Sequence, residues 1–65
     1  SESKNFRRSL YAVVDIKEGS VISKNQIRSI RPANGLPPKY LPDVIGRVAK
    51  SDICRGTPIS WDHIK

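Results

Sequence analysis

The stretch Asp15-Ile16-Lys17-Glu18-Gly19-Ser20-Val21-Ile22-Ser23-Lys24-Asn25-Gln26-Ile27 recurs 37 residues later as Asp52-Ile53-Cys54-Arg55-Gly56-Thr57-Pro58-Ile59-Ser60-Trp61-Asp62-His63-Ile64. Six of the thirteen pairs are identical (Asp15/Asp52, Ile16/Ile53, Gly19/Gly56, Ile22/Ile59, Ser23/Ser60, Ile27/Ile64), Ser20 and Thr57 keep a hydroxyl, and Ala12 and Ala49 extend the match upstream. A match at one fixed offset predicts a single supersecondary unit used twice, and with it an approximate internal two-fold. Each copy reads as a strand ending in Asp-Ile, a turn with Gly at a position of positive φ, a short extended pair, and a Ser that opens a helical turn. Ser23 with Gln26 three residues on fits a capping box, and Ser60 with His63 is a looser version of it. Ile27 and Ile64 are expected to point back into the core. No reactive side chain is common to both copies, so the repeat predicts a fold and not a chemistry.

Working outward, 65 residues make one small domain, near the lower limit at which a hydrophobic core outweighs chain entropy without disulfides or metal. The core candidates are Leu10, Ala12, Val14, Ile16, Val21, Ile22, Ile27, Ile30, Leu36, Leu41, Val44, Ile45, Val48, Ile53, Ile59, Trp61 and Ile64. β-branched residues dominate them, which predicts a mostly β fold with short helical turns. Ser9 to Ile16 reads as the first strand, with Leu10, Ala12, Val14 and Ile16 on the buried face and Tyr11, Val13 and Asp15 on the other. Residues 1–6 read as a linker or a cloning remnant that joined this domain to something upstream, residues 7–65 as the domain itself, and Lys65 as its end.

Arg28 to Arg31 is expected to be extended because Pro32 disfavours helix in the residue before it. Pro32-Ala33-Asn34-Gly35-Leu36-Pro37-Pro38 follows as a stiff loop, of the kind that serves binding when it carries a polar side chain. Pro38 to Gly46 gives one or two helical turns with Leu41, Val44 and Ile45 on one face and Gly46 as the C′ residue. Arg47 to Ile53 is the strand of the second copy.

Twelve Lys and Arg against six Asp and Glu give a formal charge of +6, but the cations are scattered and Arg7-Arg8 is their only adjacent pair. No aromatic-basic signature of a nucleic-acid binder accompanies them, so no specific nucleic acid is expected as a partner. Cys54 is the only cysteine and no apolar run is long enough for a membrane span, which predicts a reducing, cytoplasmic setting without membrane attachment. Cys54 lies in the second turn, opposite Lys17 of the first, and reads as an incidental small residue. The single His, single Cys and six carboxylates show no metal-ligand spacing, so no metal site is expected here. His63 reads as a capping or packing residue and Trp61 as half-buried packing. Arg31, at the mouth of the proline-rich loop, is either a solvated arginine or a positioned donor offering a planar set of N–H groups to a carbonyl, carboxylate or phosphate.

Arg8-Ser9-Leu10-Tyr11, Asp15-Ile16-Lys17-Glu18-Gly19, Arg28-Ser29-Ile30-Arg31-Pro32, Gly35-Leu36-Pro37-Pro38-Lys39-Tyr40 and Asp52-Ile53-Cys54-Arg55-Gly56-Thr57-Pro58-Ile59 together resemble the C-terminal SAF, or antifreeze-like, domain of bacterial sialic acid synthases. The likeness covers about residues 7 to 65, and its most specific part is the loop of Arg31, Pro32 and Gly35. It implies a β-clip fold, a pretzel-like path of short strands and one-turn helices. It also implies an upstream (β/α)8 barrel in the same chain and a domain-swapped homodimer in which the small domain covers the partner subunit's barrel. There phosphoenolpyruvate would condense with N-acetylmannosamine or a related acetamido sugar, with a divalent metal, Mn or Mg, held by the barrel. The small domain would hold no cofactor and no catalytic residue; Arg31 would reach the N-acetyl group of the sugar, with Pro32, Asn34 and Gly35 supporting the loop. Ala33 stands where relatives often have Gly. The fish type III antifreeze proteins share the fold, so ice binding is the alternative function. The matching face would include Gly19, Ser20, Lys24, Asn25 and Gln26, and a lysine there disrupts the flat, weakly polar surface that ice requires.

Overall fold

A computed structural model describes residues 7–65; the linker expected over residues 1–6 lies outside the described residues. The two copies of the repeat meet back to back. Ile16 and Ile53 exchange both of their backbone hydrogen bonds, each 2.7 Å long. On either side of that bridge each copy's aspartate caps the other copy's turn: Asp52 Oδ1 accepts the Glu18 N–H and Asp15 Oδ1 accepts the Arg55 N–H, both at 2.8 Å. Further backbone bonds come in matched pairs as well. Gly19 N–H donates to Ala49 O as Gly56 N–H does to Ala12 O, and Ala12 N–H donates to Thr57 O as Ala49 N–H does to Ser20 O. The internal two-fold expected from the repeat is thus present in the hydrogen bonds.

Both turn glycines have the expected positive φ, +87° at Gly19 and +88° at Gly56, a region in which a Cβ would crowd the following carbonyl. After each turn the chain resumes as an extended pair and enters a one-turn 3-10 helix, Lys24–Gln26 in one copy and Trp61–His63 in the other. Gln26 Oε1 accepts the Ser23 N–H at 3.0 Å, and His63 Nδ1 does the same for the Ser60 N–H at 3.1 Å. Gln26 and His63 therefore fill the same place, as their positions in the repeat predict.

The only two extended strands among the described residues are β1 (Ser9–Ala12) and β2 (Ile27–Ile30), antiparallel with Ser9 opposite Ile30 and Ala12 opposite Ile27. Elsewhere the pairing is by single bridges, Tyr11 with Pro58, Val21 with Val48 and Ala49 with Ile64. A 3-10 turn at Pro38–Tyr40 leads into the short helix α1 (Leu41–Val44), and Gly46 follows at φ +92°, the expected C′ residue. The architecture is mostly β with short helical turns. Among the described residues no helix is long and apolar enough to cross a membrane.

The core is built from Leu10, Ala12, Ile16, Ile22, Ile27, Val44, Ala49, Ile53, Ile59 and Ile64, with Leu36, Leu41 and Ile45 packed against it. Four expected core residues instead face outward: Val14, Val21, Ile30 and Trp61 are 42%, 61%, 40% and 43% exposed. The first strand ends at Ala12, not at Ile16, because the chain leaves β2 there and crosses to the second copy. Alternation therefore breaks, and Val14 turns out. Val21 and Ile22 share a two-residue extended segment in which only one side chain faces inward, and Ile22 takes that place. Trp61 lies against Tyr40, edge to face at 5.6 Å and 75°, with the Arg47 guanidinium 5.4 Å from its ring centre. Tyr11, expected on the solvent face, is buried because the Arg31–Pro38 loop folds over it.

Removing either cross-cap leaves a turn N–H without its partner. Asp15→Ala and Asp52→Ala should each cost about 1 kcal/mol in urea unfolding, the usual net value of one such bond, and the two losses should be of similar size because the contacts are symmetric.

Candidate functional site

β2 carries the chain directly into the loop. Ser9 opposite Ile30 is the last pair of the ladder, so Arg31 is the first residue free of it. The Arg31-Pro32 peptide is cis. The Pro32 carbonyl oxygen accepts three hydrogen bonds, from Ser9 Oγ at 3.0 Å, from the Tyr11 hydroxyl at 2.7 Å and from the Asn34 N–H at 3.0 Å. Ser9 Oγ in turn accepts the Gly35 N–H at 3.1 Å. Leu36 closes the far side, donating its N–H to Ile59 O at 2.8 Å and accepting the Leu10 N–H at 2.9 Å. The loop is therefore fastened at both ends to β1 and to the second copy.

Gly35 is needed for space. A Cβ at that position would come within 2.8 Å of Ile59 O, 2.9 Å of Leu10 O and 3.0 Å of Ile59 N, all backbone atoms that are held by hydrogen bonds. Ala33, where the family resemblance would place Gly, takes no left-handed conformation, since none of the described residues other than glycine has a positive φ.

Arg31 lies on the surface of this loop and is exposed. Among the described residues no hydrogen bond or ion pair engages its guanidinium. Asn34 is likewise exposed, and Pro32 is half-buried. The fold thus brings together Arg31, Pro32, Asn34 and Gly35 as one rigid surface feature with an uncommitted planar donor. Beside it, Arg7, Arg8, Ala33, Gly35, Pro37 and Pro38 line an open groove of about 460 Å³. A second hollow of about 570 Å³, lined by Lys24, Asn25, Ile27, Arg28, Ser29 and Leu41, contains no residue of the loop. Sequence reasoning missed Ser9 and Tyr11, whose hydroxyls fasten the loop. The signal available was two hydroxyls at alternate positions of a strand next to the repeat.

Among the described residues no three or more His, Cys, Asp or Glu side chains lie together as a metal site. Cys54 is free and exposed. His63 uses Nδ1 as the acceptor of its cap, as its place in the repeat suggests.

The family follows from comparison with known proteins. Residues 7–65 match the SAF domain, and the chain belongs to that family. Among its members it sits with the SAF domains of the sialic acid synthase group. The pseudaminic acid synthase of Helicobacter pylori is 37% identical over 60 residues, covering 92% of this chain and 18% of that protein. That of Campylobacter jejuni is 42% identical over 52 residues, covering 80% and 15%. The N,N'-diacetyllegionaminic acid synthase of Legionella pneumophila is 30% identical over 59 residues, covering 91% and 17%. The chain spans less than a fifth of the length of these relatives. In three dimensions it superposes with a TM-score of 0.86 on an antifreeze-protein-like domain from the human N-acetylneuraminic acid phosphate synthase gene, at 18% identity, covering 100% of this chain and 81% of that one. The spore coat polysaccharide biosynthesis protein SpsE of Bacillus subtilis gives 0.81 at 29% identity, covering 95% and 19%.

Gly35→Ala should destabilise the domain by roughly 1–3 kcal/mol, as overpacking against fixed backbone does. Arg31→Ala, which removes no contact, should change stability by no more than ~0.5 kcal/mol. Denaturant melts of the two variants read both effects.

Proposed function

We propose that this chain is the non-catalytic C-terminal SAF domain of a cytoplasmic sialic-acid-type synthase, of the kind that makes pseudaminic acid or a close relative. In this reading the domain lies over the (β/α)8 barrel of the partner subunit in a domain-swapped homodimer. Arg31 then donates a hydrogen bond to the amide carbonyl of the acetamido sugar that condenses with phosphoenolpyruvate. The observation that carries the proposal is an exposed guanidinium without a partner on a loop whose backbone is fastened by hydrogen bonds. Such a side chain contributes little to its own domain and is pre-placed to act on something brought against it. The barrel would supply the divalent metal and its chemistry. This domain's own task is to bind and orient the sugar and to help exclude water from above.

The geometry limits what Arg31 does. Its guanidinium is a planar hydrogen-bond donor with no acceptor, so it would orient and polarise the amide. A charge-assisted hydrogen bond in a partly dehydrated site is worth roughly 1.5–3 kcal/mol. The relatives at 37% and 42% identity are named pseudaminic acid synthases and the one at 30% an N,N'-diacetyllegionaminic acid synthase, and the diacetyl name of the last favours a diacetamido sugar as the acceptor.

In the synthase carrying this domain, Arg31→Ala should lower sugar-dependent kcat/KM by about tenfold to a hundredfold, with a smaller effect on phosphoenolpyruvate. Arg31→Lys should restore it only in part, because an ammonium lacks the planar fork. Steady-state kinetics with N-acetylmannosamine and a diacetamido-trideoxyhexose, each offered as acceptor, make the measurement. Unchanged sugar kinetics in Arg31→Ala would remove Arg31 from the site. The 65-residue chain alone should give no turnover with phosphoenolpyruvate, manganese and either sugar.

Ice binding predicts a different result. Lys24 and Asn25 are exposed on the face that would meet ice, so nanolitre osmometry at millimolar protein should show no freezing gap and no faceted crystals.

A further inference from the structure

The repeat provides its own control for which side chains the frame requires. Ser9 and Tyr11 of β1 correspond, 37 residues on, to Gly46 and Val48, neither of which has a hydroxyl. At the second of these positions the backbone does equivalent work: Tyr11 bridges Pro58 as Val48 bridges Val21. Nothing in the two-fold frame therefore calls for a hydroxyl at Tyr11, while Ser9 is paired with Ile30 and its counterpart Gly46 ends α1. Yet both hydroxyls are present in the copy that lies beneath the Arg31 loop, and both reach one atom, the Pro32 carbonyl oxygen, at 3.0 and 2.7 Å. Ser9 is completely buried and Tyr11 is 7% exposed. Buried hydroxyls of this kind are retained where they have partners, and here the partners are the loop alone: the Pro32 carbonyl for both, and the Gly35 N–H for Ser9.

We infer that Ser9 and Tyr11 are positioning residues for Arg31, and that through it they set discrimination between an acetamido sugar and its unacylated analogue. The inference rests on the reading of Arg31 given above. The two hydroxyls fix the carbonyl of the residue that follows Arg31, so the backbone from which the Arg31 side chain starts is settled before a sugar arrives. A loop already held does not have to be ordered on binding, and only the side-chain rotamer remains to be set. An N-acyl carbonyl benefits from that placement, whereas a sugar lacking the acyl group has no acceptor at that place.

The test uses Tyr11→Phe, which removes one oxygen and keeps the ring, and Ser9→Ala, each alone and combined with Arg31→Ala in the synthase. Tyr11→Phe should raise KM for the acetamido sugar roughly threefold to tenfold, the effect of one hydrogen bond, and leave KM for phosphoenolpyruvate within about twofold. In the Arg31→Ala background the same change should have almost no further effect, because residues acting through one group are not additive. Preference for the acetamido sugar over the unacylated one should fall by a similar factor. Independently of activity, amide exchange at Gly35 in the 65-residue chain should speed up about tenfold or more in Ser9→Ala, while Ile16 and Ile53 keep their protection.

Arg31→Ala with normal sugar kinetics would defeat the reading of Arg31, and the positioning role with it. An impaired Arg31→Ala beside fully active Tyr11→Phe and Ser9→Ala would defeat the positioning role only. So would losses that simply add in the double variants, or Gly35 exchange that does not respond. If Ser9→Ala does not fold, Tyr11→Phe decides the question through its kinetics.

Discussion

Asp15 and Asp52 each cap the turn of the other repeat, and that exchange flanks the Ile16–Ile53 bridge on which the two copies meet. A turn with glycine at positive φ leaves backbone N–H groups pointing outward; here a carboxylate from across the two-fold accepts one of them at 2.8 Å on each side. Between the two caps, Ile16 and Ile53 exchange both backbone bonds at 2.7 Å. The effect is to make neither copy complete by itself. Each turn is held by a side chain, and each isoleucine by a backbone, that belongs to the other half.

That mutual dependence explains how so short a chain specifies one structure with two four-residue strands and very short helices. Short elements have few internal hydrogen bonds, so the backbone groups find partners across the repeat instead. The aliphatic core is correspondingly narrow: Ile16 and Ile53, Ile22 and Ile59, Ile27 and Ile64, and Ala12 and Ala49 enter it as symmetric pairs. Leu10 and Val44 complete it without counterparts of the same kind, on the side where the symmetry ends.

Function is read where the two copies differ. The first copy runs on through β2 into the Arg31 loop, and that loop returns over β1. Gly35 allows that loop to lie directly against the backbone of Leu10 and Ile59, and the hydroxyls of Ser9 and Tyr11 fasten it from beneath. A rigid symmetric frame thus carries one asymmetric loop, and the loop carries the only side chain of the predicted site that is a charged donor. Rigidity in the frame fixes where on the surface that arginine starts, which is what its proposed role asks of it.

The repeat determined much of this at the level of sequence, because turn glycines, capping residues and paired isoleucines act through local backbone chemistry that spacing reveals. Gly19 and Gly56 at positive φ, Gln26 and His63 as matched caps, Gly46 ending α1, and the extended path before Pro32 were all readable in this way. The resemblance carried by Arg31, Pro32 and Gly35 identified the loop. Tertiary structure alone decided which aspartate caps which turn, since a cross-repeat bond has no signature in sequence distance. It also decided the fate of Val14, Val21, Ile30 and Trp61: each is apolar and sits in a pattern that allows burial, but the narrow core fills with their neighbours first. Tyr11 is the opposite case. Strand alternation sends it toward solvent, and only the return of a loop more than twenty residues away, laid over β1, gives its hydroxyl a buried partner at Pro32.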